Sequence, residues 1–449
     1  MNKPAKNREL LNCLRQAFGL SACALKRIKA DFCLEMERGL TARTSTLKML
    51  PSFLGRPSGR ETGTFWALDL GGTNFRVYEV ELKGQRTLSL NACTQFAIPA
   101  ECIHGTGEML FNFIASELES FLRQRDIISE VDLGFVFSFP VQQSGPVKGV
   151  LVEWTKDFTA SGVVGNDVVG LLKAAFLKKN MPKINVLALV NDTVATLLGE
   201  AYTDADADAG LILGTGTNAC YAEQIGSVQE VPALWPRGQE MIINTEWGGF
   251  GCLEQNEYDV TLDQRTSRPQ TQILEKMVSG LYLSRLIKLV LNDCVKKGLI
   301  LDGRDKNAFL QMDFDAGLVS GIEGDTSKNL AGVNDLLREK DITTPSLEDR
   351  ETIKEVCRIV SNRAARISSA GIGAILTRMD PEINRNHTVA VDGALFRRHP
   401  FFKPRMEKAL HELLGPRAGN IRLNDVQNGS GIGGAVAAAV AGGGVNCPA

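Results

Sequence analysis

The chain has 449 residues, more than one hydrophobic core usually fills, and 44% of them are hydrophobic, enough to bury two cores. A formal net charge of -2 leaves no broad basic field for nucleic acid or an anionic membrane, so small-molecule chemistry is the class that remains. The 10 cysteines form no C-x-x-C pair and no zinc-type cluster, which predicts free thiols in a reducing compartment, and only 4 histidines are available for imidazole chemistry.

Residues 7–38 carry Leu11, Leu14, Phe18, then Leu25, Ile28 and Phe32 at helical spacing, broken near Gly19, and predict a helical lead-in. Acids interleave with bases there (Glu9, Asp31, Glu35, Glu37) and no apolar run follows the start, so neither export nor organelle import is signalled. A cytoplasmic location is the expectation. Turn-rich residues 51–59 end the lead-in, and residues 65–82 read as a strand, a glycine turn and a returning strand. Gly71 and Gly72 leave Cβ-free amides open to a phosphate, and Asp69 stands at the mouth where Mg²⁺ could be held. Many glycine hairpins bind nothing, so this stretch alone decides little. Residues 87–98 add a third strand to the meander.

An apolar helical stripe over residues 108–123, a buried strand at 131–140, a helix at 168–177 and a strand at 184–190 predict a mixed sheet covered by helices, the first lobe ending near Asn191. Ser138 ends one buried strand, where its hydroxyl meets a ligand or satisfies a backbone group. Thr155 and Lys156 set a hydroxyl beside an ammonium, which suits a polyol and equally suits a surface loop. Asp192 follows a strand's carboxyl end, the usual ligand side of an open sheet, and is either a catalytic base or the N-cap of the next helix.

Residues 202–210 are acidic and low in complexity, and are expected to be a solvated loop. Residues 211–218 then repeat the glycine-hairpin pattern, which predicts two related halves with one nucleotide between them. Asn244 and Glu246 stand next to Trp247 and a glycine run; the carboxylate suits sugar hydroxyls, with Trp247 as an apolar wall. Further on, residues 240–247 are a predicted strand, 272–297 one long helix, 326–348 an exposed polar stretch and 353–376 a helix rich in small residues. Residues 387–395 read as a strand that breaks at Asp392-Gly393, and Gly429 opens a Gly/Ala-rich helix. Residues 429–445 fall short of the ~20 apolar residues of a membrane span.

Taken together, these motifs resemble the eukaryotic hexokinase and glucokinase family from about residue 60 to residue 442. The matching pieces are Leu68-Asp-Leu-Gly-Gly-Thr-Asn-Phe-Arg-Val77, Gly134-Phe-Val-Phe-Ser-Phe-Pro140, Trp154-Thr-Lys156 with Ala160-Ser-Gly162, Val190-Asn-Asp-Thr-Val-Ala-Thr196, Gly214-Thr-Gly-Thr-Asn-Ala-Cys-Tyr221, Asn244-Thr-Glu-Trp-Gly248, Glu275-Lys276, Val391-Asp-Gly393 and Gly429-Ser-Gly431. The resemblance implies an α/β chain of the actin-like ATPase (ribonuclease H-like) fold, two lobes with mixed sheets flanking a cleft. The small lobe would comprise residues 53–191 plus 430–449, and the large lobe residues 1–52 plus 192–429.

By the same resemblance Asp192 is the general base, with Lys156 also catalytic. Ser138, Thr155, Lys156, Asn191, Asn218, Glu246 and Glu275 would hold the hexose. Asp69 serves Mg²⁺, and Gly71, Gly72, Thr73, Asn74 and Arg76 line the phosphate side, while Gly214, Thr215, Gly393 and Gly429 face ATP. The implied activity is transfer of phosphate from Mg-ATP to the 6-hydroxyl of a hexose, D-glucose expected, by a single catalytic module of undetermined oligomeric state. A sugar sensor without turnover and an actin-fold ATPase of chaperone type are the alternatives. Two positions depart from the family pattern: Ala394 where Ser is common, which puts one ATP contact in doubt, and Gly249 where Ala is usual, a change expected to matter little.

Overall fold

A computed structural model describes residues 3–72, 74–155, 157–181, 183–228, 239–303, 308–342 and 345–443. The strands of the first half are β1 (Leu50–Pro51), β2 (Thr62–Leu70), β3 (Asn74–Lys83), β4 (Leu88–Ala97), β5 (Val131–Phe137), β6 (Val141–Gly145), β7 (Lys148–Leu151) and β8 (Ile184–Val190). Those of the second half are β9 (Ala207–Leu213), β10 (Thr217–Gln224), β11 (Glu240–Asn244), β12 (His387–Asp392) and β13 (Ile421–Asp425).

One sheet runs β4-β3-β2-β5-β8, antiparallel across its first three strands and parallel across the rest. The other runs β11-β10-β9-β12-β13 with β1 at its edge, and again an antiparallel meander is followed by two parallel strands. Numbered within each half, the strand order is identical, so the halves suggested by the two glycine hairpins are related in topology. The hairpins themselves are β2/β3 and β9/β10.

Helices cover both faces of each sheet, which is why strands such as β5 are almost wholly buried. On the outer face of the first sheet, Leu110, Ile114 and Leu118 of the helix Gly107–Gln124 pack with Leu133 and Phe135. The outer face of the second carries the helices Ala22–Leu40, Gly280–Lys296 and Leu347–Met379. Between the sheets lie two helices, Asp192–Thr203 against the second sheet and Gly429–Gly442 against the first. They meet backbone to backbone: a Cβ on Gly433 would fall 1.6 Å from the Ala195 carbonyl oxygen, and one on Gly199 would fall 3.1 Å from that of Gly429. Among the described residues no helix is long and apolar enough to cross a membrane.

Three expectations are corrected. Residues 202–210 are not a solvated loop: Ala207–Leu213 is a central strand, and Asp208 is 0% exposed. The alternating acids misled because Asp208 is neutralised from elsewhere, by Arg56 Nη1 at 2.7 Å and Arg385 Nη1 at 2.6 Å, with His387 Nδ1 at 2.7 Å. The span 272–297 is two helices, Ile273–Val278 and Gly280–Lys296, because Ser279 turns extended and the Gly280 amide donates to the Gly214 carbonyl at 2.9 Å. Residues 326–348 are partly core, since Val333 and Leu337 of the helix Ala331–Arg338 are buried.

Burial pushes the Asp208 carboxyl up, but hydrogen bonds from His387 and Arg385 and the charges of Arg385 and Arg56 outweigh it and hold it below its ordinary 3.8. A carboxyl lowered on folding adds stability above its unfolded pKa and loses it as pH falls toward the folded value. Asp208→Ala, which takes the buried carboxylate from Arg385 and His387 and leaves Arg56 with Glu240 alone, should therefore cost about 3 kcal/mol at pH 7 in urea unfolding. The gap to the native chain should narrow as the pH is taken below 3.8.

Candidate active site

Strand β8 delivers its last residue to Asn191, whose Oδ1 accepts the Thr193 amide at 3.0 Å and so caps the helix Asp192–Thr203. Of the two roles open to Asp192 the N-cap position thus belongs to its neighbour. Asp192 occupies the first helical turn, half-buried, its Oδ1 accepting from the Thr193 amide at 2.8 Å and hydroxyl at 3.3 Å. A carboxylate there also meets the positive end of the helix dipole. Its charge is felt across the site: burial, above all, raises the carboxyl of Asp392 at the end of β12, Arg397 counters this, and Asp192 adds to the rise.

Around this carboxylate the second sheet gathers amides. Asn218 Nδ2 donates to Asn244 Oδ1 at 2.8 Å, Glu246 Oε1 at 3.2 Å and Asn191 Oδ1 at 3.4 Å. Asn244 Nδ2 also donates to Glu246 Oε1 at 2.8 Å. Glu246 holds the left-handed φ of 50°, unusual for a residue with a side chain, and that bend turns the chain out of β11. Glu275, on the helix Ile273–Val278, accepts the Thr217 amide at 3.3 Å. Sequence reasoning brought Asn191, Asn218, Glu246 and Glu275 here and gave no role to Asn244, although the motif contains it.

Trp247 corrects an expectation. Instead of walling a ligand it is 0% exposed, its indole N–H bonded to Thr217 Oγ1 at 3.0 Å and its ring edge-on to Phe32. The apolar contact on the other side comes from the first sheet, where Phe137 and Phe139 line one pocket with Asn191 and Asn244. Ser138, between them, is buried and donates its amide to Leu70 O at 3.3 Å. Phe139 stacks edge-on to Trp154 at 4.8 Å, tying on the loop that holds half-buried Thr155, and Glu153 of this loop ion-pairs with Arg268. Lys156 and Thr73 lie outside the described residues.

At the other end of the cleft Asp69, 4% exposed, accepts the Ser430 hydroxyl at 2.8 Å and has Arg76 Nη1 at 3.6 Å. Arg76 donates to Gln95, and Gln95 to Asn74 Oδ1 at 3.1 Å, so both residues are braced from β4. The Gly71-Gly72 turn closes with the Gly71 amide on Asn74 O at 3.0 Å. In the second hairpin, the first turn of the helix Gly280–Lys296 fastens Gly214 and Thr215 through the Gly280 and Leu281 amides. Gly393, at φ 132°, lies against this hairpin, and a Cβ there would meet Leu213 O at 2.2 Å. Gly429 opens the helix that presents Ser430. That serine was within a quoted motif yet unassigned; a hydroxyl between two glycines at a helix start was the available signal.

Two sheets of one strand order, two crossing helices between them and a polar site at the strands' carboxyl ends define the actin-like ATPase fold. Two family profiles described as Hexokinase match residues 10–202 and 208–440. The structure of a hexokinase from Schistosoma mansoni complexed with glucose is similar at a TM-score of 0.84 and 34% identity, covering 96% of this chain and 99% of that one. Hexokinase-7 of Oryza sativa subsp. japonica is 37% identical over 96% of this chain and 96% of its own. Hexokinase-1 of Homo sapiens is 39% identical over 95% of this chain and 47% of the human protein, so the chain spans about half the length of that relative. The chain belongs to the hexokinase family.

Gly393→Ala should be disruptive at the second hairpin, costing at least ~2 kcal/mol in urea unfolding through left-handed strain and the clash with Leu213. A loss below ~0.5 kcal/mol would mean that the turn relaxes freely.

Proposed function

We propose that the chain is an ATP-dependent hexose kinase acting on the 6-hydroxyl, with D-glucose as substrate, in the cytoplasm. The observation that carries this is the polar ring of Asn191, Asn218, Asn244 and Glu246, linked at 2.8 to 3.4 Å beside Asp192. Amides offer donors and acceptors together and carboxylates accept, which is what a ring of sugar hydroxyls exchanges with. Family membership and the glucose complex of the Schistosoma relative support the same substrate class.

In this mechanism Asn218, Asn244, Glu246 and Glu275 fix the hexose, with Ser138, Thr155 and Lys156 joining from the first lobe. Phosphoryl transfer asks mainly for position and charge neutralisation. Asp192 takes the proton of the 6-hydroxyl onto its carboxylate as that oxygen bonds to the terminal phosphorus of ATP, and the bond from that phosphorus to the bridging oxygen breaks to release ADP. Asp69, Arg76 and Ser430, with the Cβ-free backbone at Gly214 and Gly393, form a cradle that fits a magnesium nucleotide; the ion, when bound, supplies neutralising charge. Residues 53–191 plus 430–449 and residues 1–52 plus 192–429 act as two lobes that close on the hexose, so that water does not replace the sugar hydroxyl.

Asp192→Ala should lower turnover about 10³-fold in a coupled assay for ADP and sugar phosphate, within the usual range for a lost general base. Glucose should still raise the melting temperature of the variant, since the sugar ligands remain. Retention of more than about a tenth of native turnover, a barrier change under ~1.4 kcal/mol, would remove Asp192 from the role of base. Native chain that binds glucose and releases no ADP would replace the kinase with a sensor.

A further inference from the structure

The loop that carries Glu246 is braced by a segment in which no motif was found. Phe32 of the helix Ala22–Leu40 packs against Phe250 at 4.8 Å and Trp247 at 6.2 Å between ring centroids. One helical turn further on is Glu35, a carboxylate that is only 4% exposed. Its Oε2 accepts the Thr46 amide at 2.6 Å, the Thr46 hydroxyl at 2.9 Å and the Ser45 hydroxyl at 3.1 Å, while Oε1 accepts from Arg38 at 2.6 Å. Burial pushes the carboxyl up, but the bonds from Thr46, Arg38 and Ser45 prevail and hold it below its ordinary range. It is therefore ionised at neutral pH and acts as a fixed acceptor.

That acceptor orients Thr46. A hydroxyl has one proton, and with that proton given to Glu35 its lone pair faces the Gly251 amide, which donates to it at 3.3 Å. On the loop's other contact, a Cβ at position 249 would fall 2.6 Å from the Thr46 carbonyl oxygen. In this chain the backbone of residue 46 occupies the space an alanine methyl at position 249 needs. Residues 247–251 are seated on Thr46 at both points, directly after Glu246 with its left-handed φ of 50°.

We infer that Glu35 and Thr46 are positioning residues for the Glu246 loop, that Gly249 sets how closely this loop seats, and that together they determine hexose affinity. This rests on the hexose-kinase function proposed above. Positioning differs from bulk support in what it moves: a displaced loop weakens the sugar side alone, because the nucleotide cradle is built from other segments.

The test uses the full-length chain and the variants Thr46→Val, Thr46→Ser and Gly249→Ala, with KM for glucose, KM for ATP and kcat measured on each. Glucose affinity is also read without nucleotide, from the change in tryptophan emission on titration, so that loss of turnover and loss of positioning are separate results. Thr46→Val, which takes a hydroxyl donor from the buried Glu35 carboxylate, and Gly249→Ala, which displaces the turn, should each raise the glucose KM and dissociation constant about tenfold. The ATP KM should stay within about twofold, and Thr46→Ser, which keeps the hydroxyl, should restore near-native glucose affinity. Glucose affinity within twofold of native in both Thr46→Val and Gly249→Ala, equal losses in Thr46→Val and Thr46→Ser, or parallel rises for both substrates would each overturn the proposal. Should Thr46→Val fail to fold, Gly249→Ala with Thr46→Ser decides it by the same criteria.

Discussion

The contact on which the rest depends is the crossing of the helices Asp192–Thr203 and Gly429–Gly442. Side chains at Gly199 or Gly433 would hold the two backbones apart, and their absence lets one helix lie in the groove of the other. Each helix is also the inner cover of one sheet, so their separation sets that of the sheets. Their first turns carry Asp192 and Ser430, and Ser430 bonds to Asp69 on the sheet that its own helix covers. A single close approach therefore fixes both the width of the cleft and the relation between its proposed sugar and phosphate ends.

The electrostatics follow from that convergence. Asp69, Asp192 and Asp392 all stand at strand ends or first helical turns facing the same region, and burial already lifts Asp392. Arg76 and Arg397 lie beside two of these carboxylates, at 3.6 Å from Asp69 and 2.9 Å from Asp392. In the proposed reaction a polyphosphate enters a region rich in carboxylates, and a divalent cation in the substrate complex makes that charge arrangement workable. The proposed sugar end needs no such help, because uncharged hydroxyls donate to its carboxylates and exchange hydrogen bonds with its amides.

Much of this was legible in the sequence because it is local. Glycine hairpins, continuous apolar strands and the helical stripe of residues 108–123 depend on neighbours in the chain, and they folded as their periodicity predicts. The sites at strand ends were legible for the same reason: Asn191, Asp192 and Glu246 each follow an apolar run. What stayed hidden depends on distant partners. Asp208 looked solvated because its guanidinium partners are about 150 and 180 residues away in sequence. The break at Ser279 is made by Gly214, and Trp247 turned inward because Phe32 and Gly371 leave a slot for it. Glu35 carried no signal at all, since an acid in an amphipathic helix reads as surface until its acceptor role for Thr46 is seen.

The helix Gly429–Gly442 has a consequence for how the protein is made. It covers Ala67, Tyr78, Val136 and Ala188 on the inner face of a sheet whose last strand ends at Val190. At ribosomal rates of ~5–20 residues per second, on the order of tens of seconds pass between emergence of that strand and of its cover. Throughout that interval the nascent first half holds an apolar sheet face without its native lid. The inner core of the first sheet is therefore completed only when the helix Gly429–Gly442 has been made.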